Sequence, residues 1–187
     1  MDCADIALIV LAAGLGSRFG ADKLSVPLDD LPVGLHIART SSAIDFGWRF
    51  AICSPASPVT PRFVDYGFSV IDNANPQAGQ AHSLHLAIQA AEDTDAKALL
   101  VTLADMPFVT DGLLRKIAAC PGLAASFNGR NAMPPALFPR AHWASLLNTQ
   151  GDTGGRSLLH AAQKIEASAT ELRDIDVPDD LIRPAGA

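Results

Sequence analysis

The sequence has few cysteines, no excess of basic charge and no long apolar run, and each lack excludes a class of protein. The three cysteines, Cys3, Cys53 and Cys120, are odd in number, widely spaced and free of any CxxC pair. They frame neither a disulfide scaffold nor a structural zinc site, and read as reduced, mostly buried thiols. Net charge is −6, so the basic footprint of a nucleic-acid-binding protein is missing. The longest apolar run, Ile6 to Ala13, is too short to span a bilayer. Asp2 and Asp5 precede it, where a signal peptide would carry Lys or Arg. Two glycine motifs fail as well. No Gly-Lys-Ser/Thr marks a P-loop, and in Gly14-Leu15-Gly16-Ser17-Arg18-Phe19-Gly20 the third glycine comes one residue late for a dinucleotide fingerprint. No Ser/His/Asp or Cys/His constellation suggests covalent catalysis.

What remains is an ordinary globular composition, 49% hydrophobic and 18% charged over 187 residues. That length fits a single domain spanning 1–187 and can bury a core without staples. Ile6–Ala13 is continuously apolar, as strands covered on both faces are, and Ala98–Leu103, apolar but for Thr102, is the second strong signal of a buried strand. Shorter strands fit Phe50–Cys53, Phe68–Ile71, Leu123–Phe127 and Ala136–Phe138. Helices fit Val33–Ser42, Ser83–Ala91, a Thr110-capped segment to Ala119, Arg140–Leu147 and Gly155–Gln163. In Ser83–Ala91 the residues Leu84, Ala87, Ile88 and Ala91 make one apolar stripe. Strands alternating with helices predict an α/β fold with a mostly parallel sheet.

Four segments carry candidate chemistry. Leu11-Ala12-Ala13-Gly14 through Lys23-Leu24 runs from a strand into a loop with three glycines, Arg18 and Lys23. Backbone amides in such a loop can approach phosphates, and the two cations add charge; a tight turn with two surface cations reads equally well. Asp105 in Leu103-Ala104-Asp105-Met106-Pro107 stands just past a buried strand, where ligand sites of open α/β sheets lie and where a carboxylate can hold Mg²⁺. Taken alone it is more often a turn aspartate. Gly151-Asp152-Thr153-Gly154-Gly155-Arg156 is a polar loop before a helix, and Asp174-Ile175-Asp176-Val177-Pro178-Asp179-Asp180-Leu181 offers alternating carboxylates or a solvated cap. His82 and His85 form an HxxH pair without an evident third ligand.

In this order, with GQAHSL at 79–84 and PPALFPRAHW at 134–143, these segments resemble the MobA-like nucleotidyltransferases over nearly the whole chain, most closely the molybdenum cofactor cytidylyltransferase branch. The resemblance implies a three-layer, Rossmann-like fold of the glycosyltransferase-A-like kind. It also implies Mg²⁺-dependent attack of a substrate phosphate on the α-phosphate of a nucleoside triphosphate, with pyrophosphate leaving. Leu11, Ala12, Ala13 and Gly14 would then meet base and ribose, with Gly79 and Ser83 in the base pocket. Gly16, Arg18 and Lys23 would cradle the phosphates. Asp105 would bind Mg²⁺ with Asp176 as its partner, Asp174 being the alternative, and Asp152 would help hold the acceptor. CTP is the expected nucleotide, because the opening motif is Leu-Ala-Ala-Gly rather than the Leu-Ala-Gly-Gly of guanylyl-transferring relatives. The expected acceptor is of molybdopterin type, the expected partner a molybdoenzyme or its chaperone, and the expected compartment the cytoplasm, without nucleic acid or membrane. Rival readings are transfer to a sugar or polyol phosphate, or a non-catalytic protein that delivers a cofactor. Three departures fall on the acceptor side: Met106 for the usual Gln, no clear glycine before Pro134-Pro135, and Gly155 where Ala is usual.

Overall fold

The computed structural model describes residues 1–14, 19, 22–151 and 155–181. Seven strands form one sheet in the order β5-β4-β1-β6-β8-β7-β9. Its first half is parallel: β1 (Ile6–Ala12) lies between β4 (Trp48–Cys53) and β6 (Ala98–Leu103), and β5 (Ser69–Asp72) closes the edge beyond β4. In the second half β8 (Ala132–Pro139) runs antiparallel to both β6 and β7 (Ala124–Phe127), and β9 (Gln163–Glu166) pairs parallel to β7. Six of the seven strands therefore point one way, and the expected mostly parallel sheet is what forms. A separate two-stranded ribbon joins β2 (Pro27–Leu28) to β3 (Leu31–Pro32).

The apolar runs become central strands because both faces of the sheet are covered. Successive side chains of a strand point to opposite faces. In β1, Ile6, Leu8, Val10 and Ala12 enter one core and Ala7 and Ile9 the other. The first core is closed by α1 (His36–Ser41) and α3 (Asp111–Ala118), the second by α2 (Gln80–Glu92), α4 (Trp143–Leu147) and α5 (Arg156–Leu159). This is the α/β arrangement expected from the alternating pattern, with the three layers that the family resemblance implied. Thr110 caps α3 as anticipated, its Oγ1 accepting from Leu113 N at 3.2 Å.

Three expectations need correction. The segment Gly155–Gln163 is not one helix: α5 stops at Leu159, the chain turns, and Gln163 opens β9, which no apolar alternation announced. The strand expected at Ala136–Phe138 is eight residues long and takes in Pro134 and Pro135, joined by a cis peptide. Prolines are normally kept out of interior strands because they cannot donate to the ladder. Here β7 accommodates them by a register shift between Ala125 and Ser126, opposite that stretch. The helix expected over Arg140–Leu147 is a 3₁₀ turn, Arg140–His142, leading into α4.

Candidate active site

The parallel register brings the ends of three strands to one edge of the sheet: Ala12 pairs with Cys53 and Leu11 with Leu103. Ala104 N donates to Leu11 O at 3.0 Å, so the chain leaving β6 is fixed against the chain leaving β1. Ala13-Gly14 and Asp105 therefore emerge side by side, at the carboxyl ends of strands where α/β proteins bind ligands.

Lys23 reaches this edge from a 3₁₀ turn, Lys23–Ser25, capped by Asp22. Asp22 Oδ1 accepts from Leu24 N at 3.2 Å, while Oδ2 accepts from Ser25 Oγ at 2.6 Å and Ser57 Oγ at 2.5 Å. Three donors on one carboxylate hold the turn, and the turn sets Lys23. Lys23 is 8% exposed. It donates to Asp105 Oδ2 at 2.7 Å and Asp176 Oδ1 at 3.0 Å. Burial by itself would push the ammonium pKa down; the two carboxylates outweigh it and hold the group above its ordinary value.

Asp176 comes from the opposite end of the chain. Ile175, wholly buried, donates its N–H to Asp105 O at 2.9 Å and seats the segment against the loop after β6. Asp180 Oδ2 then accepts from Asp176 N and Val177 N, both at 2.8 Å. Of the alternating acids, Asp180 is thus the cap and Asp176 faces the site. Asp105 Oδ1 is buried and has no hydrogen-bond partner among the described residues. Leaving such an oxygen unmatched is costly, so a donor or cation is wanted there. Among the described residues no three His, Cys, Asp or Glu side chains converge on one point. Two carboxylates, one with a buried open oxygen, suit a hard cation that takes its remaining ligands from phosphates and water.

Across the edge lies the other set of expected residues. Gly14 is exposed, and a Cβ built on it would meet nothing within 4 Å. Packing with its described neighbours does not require glycine, whereas close approach of a ligand to the backbone would. Ala12 and Ala13 are buried, at 3% and 4% exposure. Gly79, at φ +85° and ψ −179°, occupies a conformation closed to L side chains and opens α2. Ser83 is buried one turn on, and Asn73 Nδ2 donates to its Oγ at 2.9 Å. Asn73 is itself fully buried and links Cys53 O, Asn75 N and Ser83. The structure thus brings Lys23, Asp105 and Asp176 into contact, with Leu11 to Gly14 beside them and Gly79 and Ser83 at the start of α2. Gly16, Arg18 and Asp152 lie outside the described residues. Asp22 and Asn73 had gone unremarked. An Asp immediately before Lys23 was a visible signal of an N-cap; Asn73 had none.

Comparison with known proteins decides the family. The model of the MobA-like NTP transferase domain matches residues 8–167. The chain belongs to that family. It is 31% identical to the purine catabolism protein PucB of Bacillus subtilis over 95% of both chains. It is also 32% identical to a molybdenum cofactor guanylyltransferase of Rhodobacter capsulatus, over 71% of this chain and 68% of that one. Among solved structures, the manganese complex of Rv0371C from Mycobacterium tuberculosis superposes with a TM-score of 0.72 at 21% identity, covering 94% of this chain and 95% of the other. A MobA-like NTP transferase domain makes this protein a nucleotidyltransferase. In family terms, the strand-to-loop segment at Leu11–Lys23 and the LADMP segment at Asp105 meet at one edge. The C-terminal Asp176 that completes the cluster lies beyond the matched region. Among the described residues no helix is long and apolar enough to cross a membrane.

Proposed function

We propose that this nucleotidyltransferase transfers CMP from CTP to the phosphate of a molybdopterin-type acceptor and releases pyrophosphate, as one NTP-transferase domain spanning 1–187 and working in the cytoplasm beside a molybdoenzyme or its chaperone. The observation that carries the reading is the Lys23–Asp105–Asp176 contact at the carboxyl edge of the parallel strands. A buried ammonium beside two carboxylates is the charge arrangement that a triphosphate and its divalent cation would call for.

Asp105 and Asp176 would hold Mg²⁺, and Asp105 Oδ1 is the open oxygen that fits it. The chemistry a divalent cation supplies there is neutralisation of the triphosphate oxygens. Among relatives of known structure, Rv0371C has been solved with manganese. Lys23 would bear on the α-phosphate, whose oxygens gather charge as the acceptor attacks. An ammonium already fixed by its turn needs little reorganisation as that charge develops. Arg18 and Gly16 would serve the β- and γ-phosphates. The backbone of Leu11 to Gly14 would lie along base and ribose, with Gly79 and Ser83 closing the base pocket from α2. Asp152 would meet the acceptor. An ionised phosphate nucleophile needs no strong general base, so alignment and electrostatics suffice. Preference for CTP over GTP rests on Ala13, whose methyl would narrow the place a purine would need.

The test is incubation with Mg²⁺, molybdopterin and each nucleoside triphosphate in turn, with pyrophosphate assayed and products weighed by mass spectrometry. A CMP-linked dinucleotide formed fastest from CTP is expected. A product formed equally from every triphosphate would remove the base assignment, and pyrophosphate released only with a sugar or polyol phosphate would replace the acceptor.

A further inference from the structure

Asp176 reaches the site on a C-terminal segment that has no regular secondary structure from Arg173 to Asp176. Its contacts nevertheless keep a register against the loop after β6. Glu171 Oε1 accepts from Thr110 Oγ1 at 2.8 Å. The Arg173 guanidinium lies 4.5 Å from the centre of the Phe108 ring. Ile175 N donates to Asp105 O at 2.9 Å. Asp176 then meets Lys23. As the segment advances through 171, 173 and 175, its partners step back through 110, 108 and 105, so the two stretches are matched antiparallel.

The register matters because carboxylates flank Ile175 on both sides. Asp174 and Asp176 stand two positions apart, and the alignment of the segment decides which of them Lys23 meets. Leu172 and Ile175 anchor the segment in the first core, but apolar burial is non-directional. The Lys23–Asp176 hydrogen bond, at 3.0 Å, would be lost on a shift of about 1 Å. A guanidinium over an aromatic face is a directional contact, and it stands three residues before Asp176. Charge points the same way. Residues 171–180 hold five carboxylates and one cation, Arg173. Bringing that acidic segment up to Asp105 gathers like charges, which the single positive charge within it offsets.

We infer that Arg173, stacked on Phe108, is a positioning residue that holds the acidic C-terminal segment in register against the loop after β6, so that Asp176 rather than Asp174 is set against Lys23. Arg173 touches none of the reacting groups and acts through Asp176. Its bearing on catalysis rests on the reading of Lys23, Asp105 and Asp176 as the cluster that handles the triphosphate and its cation.

The test is a double-mutant cycle on the intact protein with two readouts. The first needs neither metal nor nucleotide: the rate at which acetic anhydride modifies Lys23, followed by mass spectrometry, since the amine must leave its carboxylates to react. Asp176→Asn and Arg173→Ala should each raise that rate on the order of threefold, and the double variant should match Asp176→Asn alone. The second readout is the affinity for Mn²⁺ without nucleotide, from the electron paramagnetic resonance signal of the free ion. Each single change should weaken it about tenfold, and the double variant no further. Phe108→Leu should reproduce Arg173→Ala, whereas Phe108→Tyr, which keeps the ring, should behave as wild type. Lys23 modified at the wild-type rate in Arg173→Ala, effects of Arg173→Ala and Asp176→Asn on that rate that simply add, or a Phe108→Leu variant that modifies like wild type would each overturn the inference. Coupled changes in Lys23 modification with equal Mn²⁺ affinity in every variant would uphold Arg173 as the residue that sets Asp176 and retire the metal role proposed for Asp176.

Discussion

The two halves of the sheet are built differently. From β5 to β6 the strands are parallel, apolar and regular, and β1 is buried along almost its whole length. From β8 to β9 the pairing is mixed, antiparallel at β8–β7 and parallel at β7–β9, two prolines stand inside a strand, the pairing shifts register, and the edge strand reads Gln-Lys-Ile-Glu. The regular half presents glycines, buried carboxylate and ammonium; the irregular half presents a cationic cavity lined by Arg130, Arg156, His160 and Lys164. On the function proposed above, the parallel half would supply a fixed edge for phosphate chemistry, and the other half the wall on which an acceptor would be chosen. The cluster Lys23–Asp105–Asp176 stands at the seam, since β6 is the last of the adjoining parallel strands.

If that division is right, changes at the seam should abolish turnover, and changes in either half should alter selectivity or stability. The largest effect belongs to Asp105→Asn. Turnover should fall on the order of 100-fold or more with the fold intact, read by steady-state pyrophosphate release and circular dichroism. Activity within a few-fold of wild type would place the metal elsewhere. Next is Lys23→Ala, in which kcat should drop more than the apparent affinity for CTP changes, because the α-phosphate charge is greatest in the transition state. A change in affinity alone would make Lys23 a ground-state clamp.

Effects within the halves are smaller. Ala13→Gly should relax the preference for CTP over GTP by about 1–3 kcal/mol in kcat/KM without reversing it. In the irregular half, a Cβ at Gly155 would lie 3.0 Å from Phe138 Cζ and 3.1 Å from Leu146 Cδ2. Gly155→Ala should therefore cost about 1 kcal/mol in urea unfolding and leave CTP kinetics alone, the ring having to give way by a few tenths of an ångström. The departure from the usual Ala is thus explained by the aromatic ring at Phe138.

Smallest is Glu171→Gln. Burial raises the Glu171 carboxyl, but hydrogen bonds from Thr110 Oγ1 and from the Ser168 N–H and hydroxyl outweigh it and hold it below the ordinary carboxylate value. A depressed carboxylate stabilises the fold above its unfolded pKa, and that contribution is lost as pH falls through the folded pKa. The substitution should cost under about 1 kcal/mol at neutral pH, the group being partly solvated, and nothing in acid below the carboxylate range. An equal cost at both pH values would mean that packing, not charge, is what was lost.

The same contrast explains what the sequence discloses. β6 is legible to the residue because a strand buried on both faces must be almost entirely apolar, as this one is but for Thr102, and Thr110 is legible because an N-cap has a local chemistry. Leu11–Gly14, Lys23 and Asp105 could be picked out because loops after buried strands carry function. Asp176 could be named only through a family resemblance: nothing local distinguishes it from Asp174 or Asp180, and three-dimensional contacts sort them. β9 escaped because one half-buried isoleucine among exposed residues has no period to read. The length of β8 escaped because Pro134 and Pro135 argue against a strand until β7 is seen to shift opposite them. The cationic cavity joins Arg130 to a segment carrying Arg156, His160 and Lys164 well beyond it, and no spacing rule connects the two.

The most direct test of the catalytic assignment compares single-turnover pyrophosphate release, with CTP and molybdopterin, in wild type and in Asp176→Asn. Asp176 is the member of the cluster that lies beyond the family-matched residues 8–167. The rate should fall at least tenfold while CD spectrum and unfolding temperature stay within error, because one of the two carboxylates facing Lys23 has lost its charge. A rate equal to that of wild type would show that Asp176 only seats the C-terminal segment, and that the Lys23–Asp105–Asp176 cluster is not the catalytic unit.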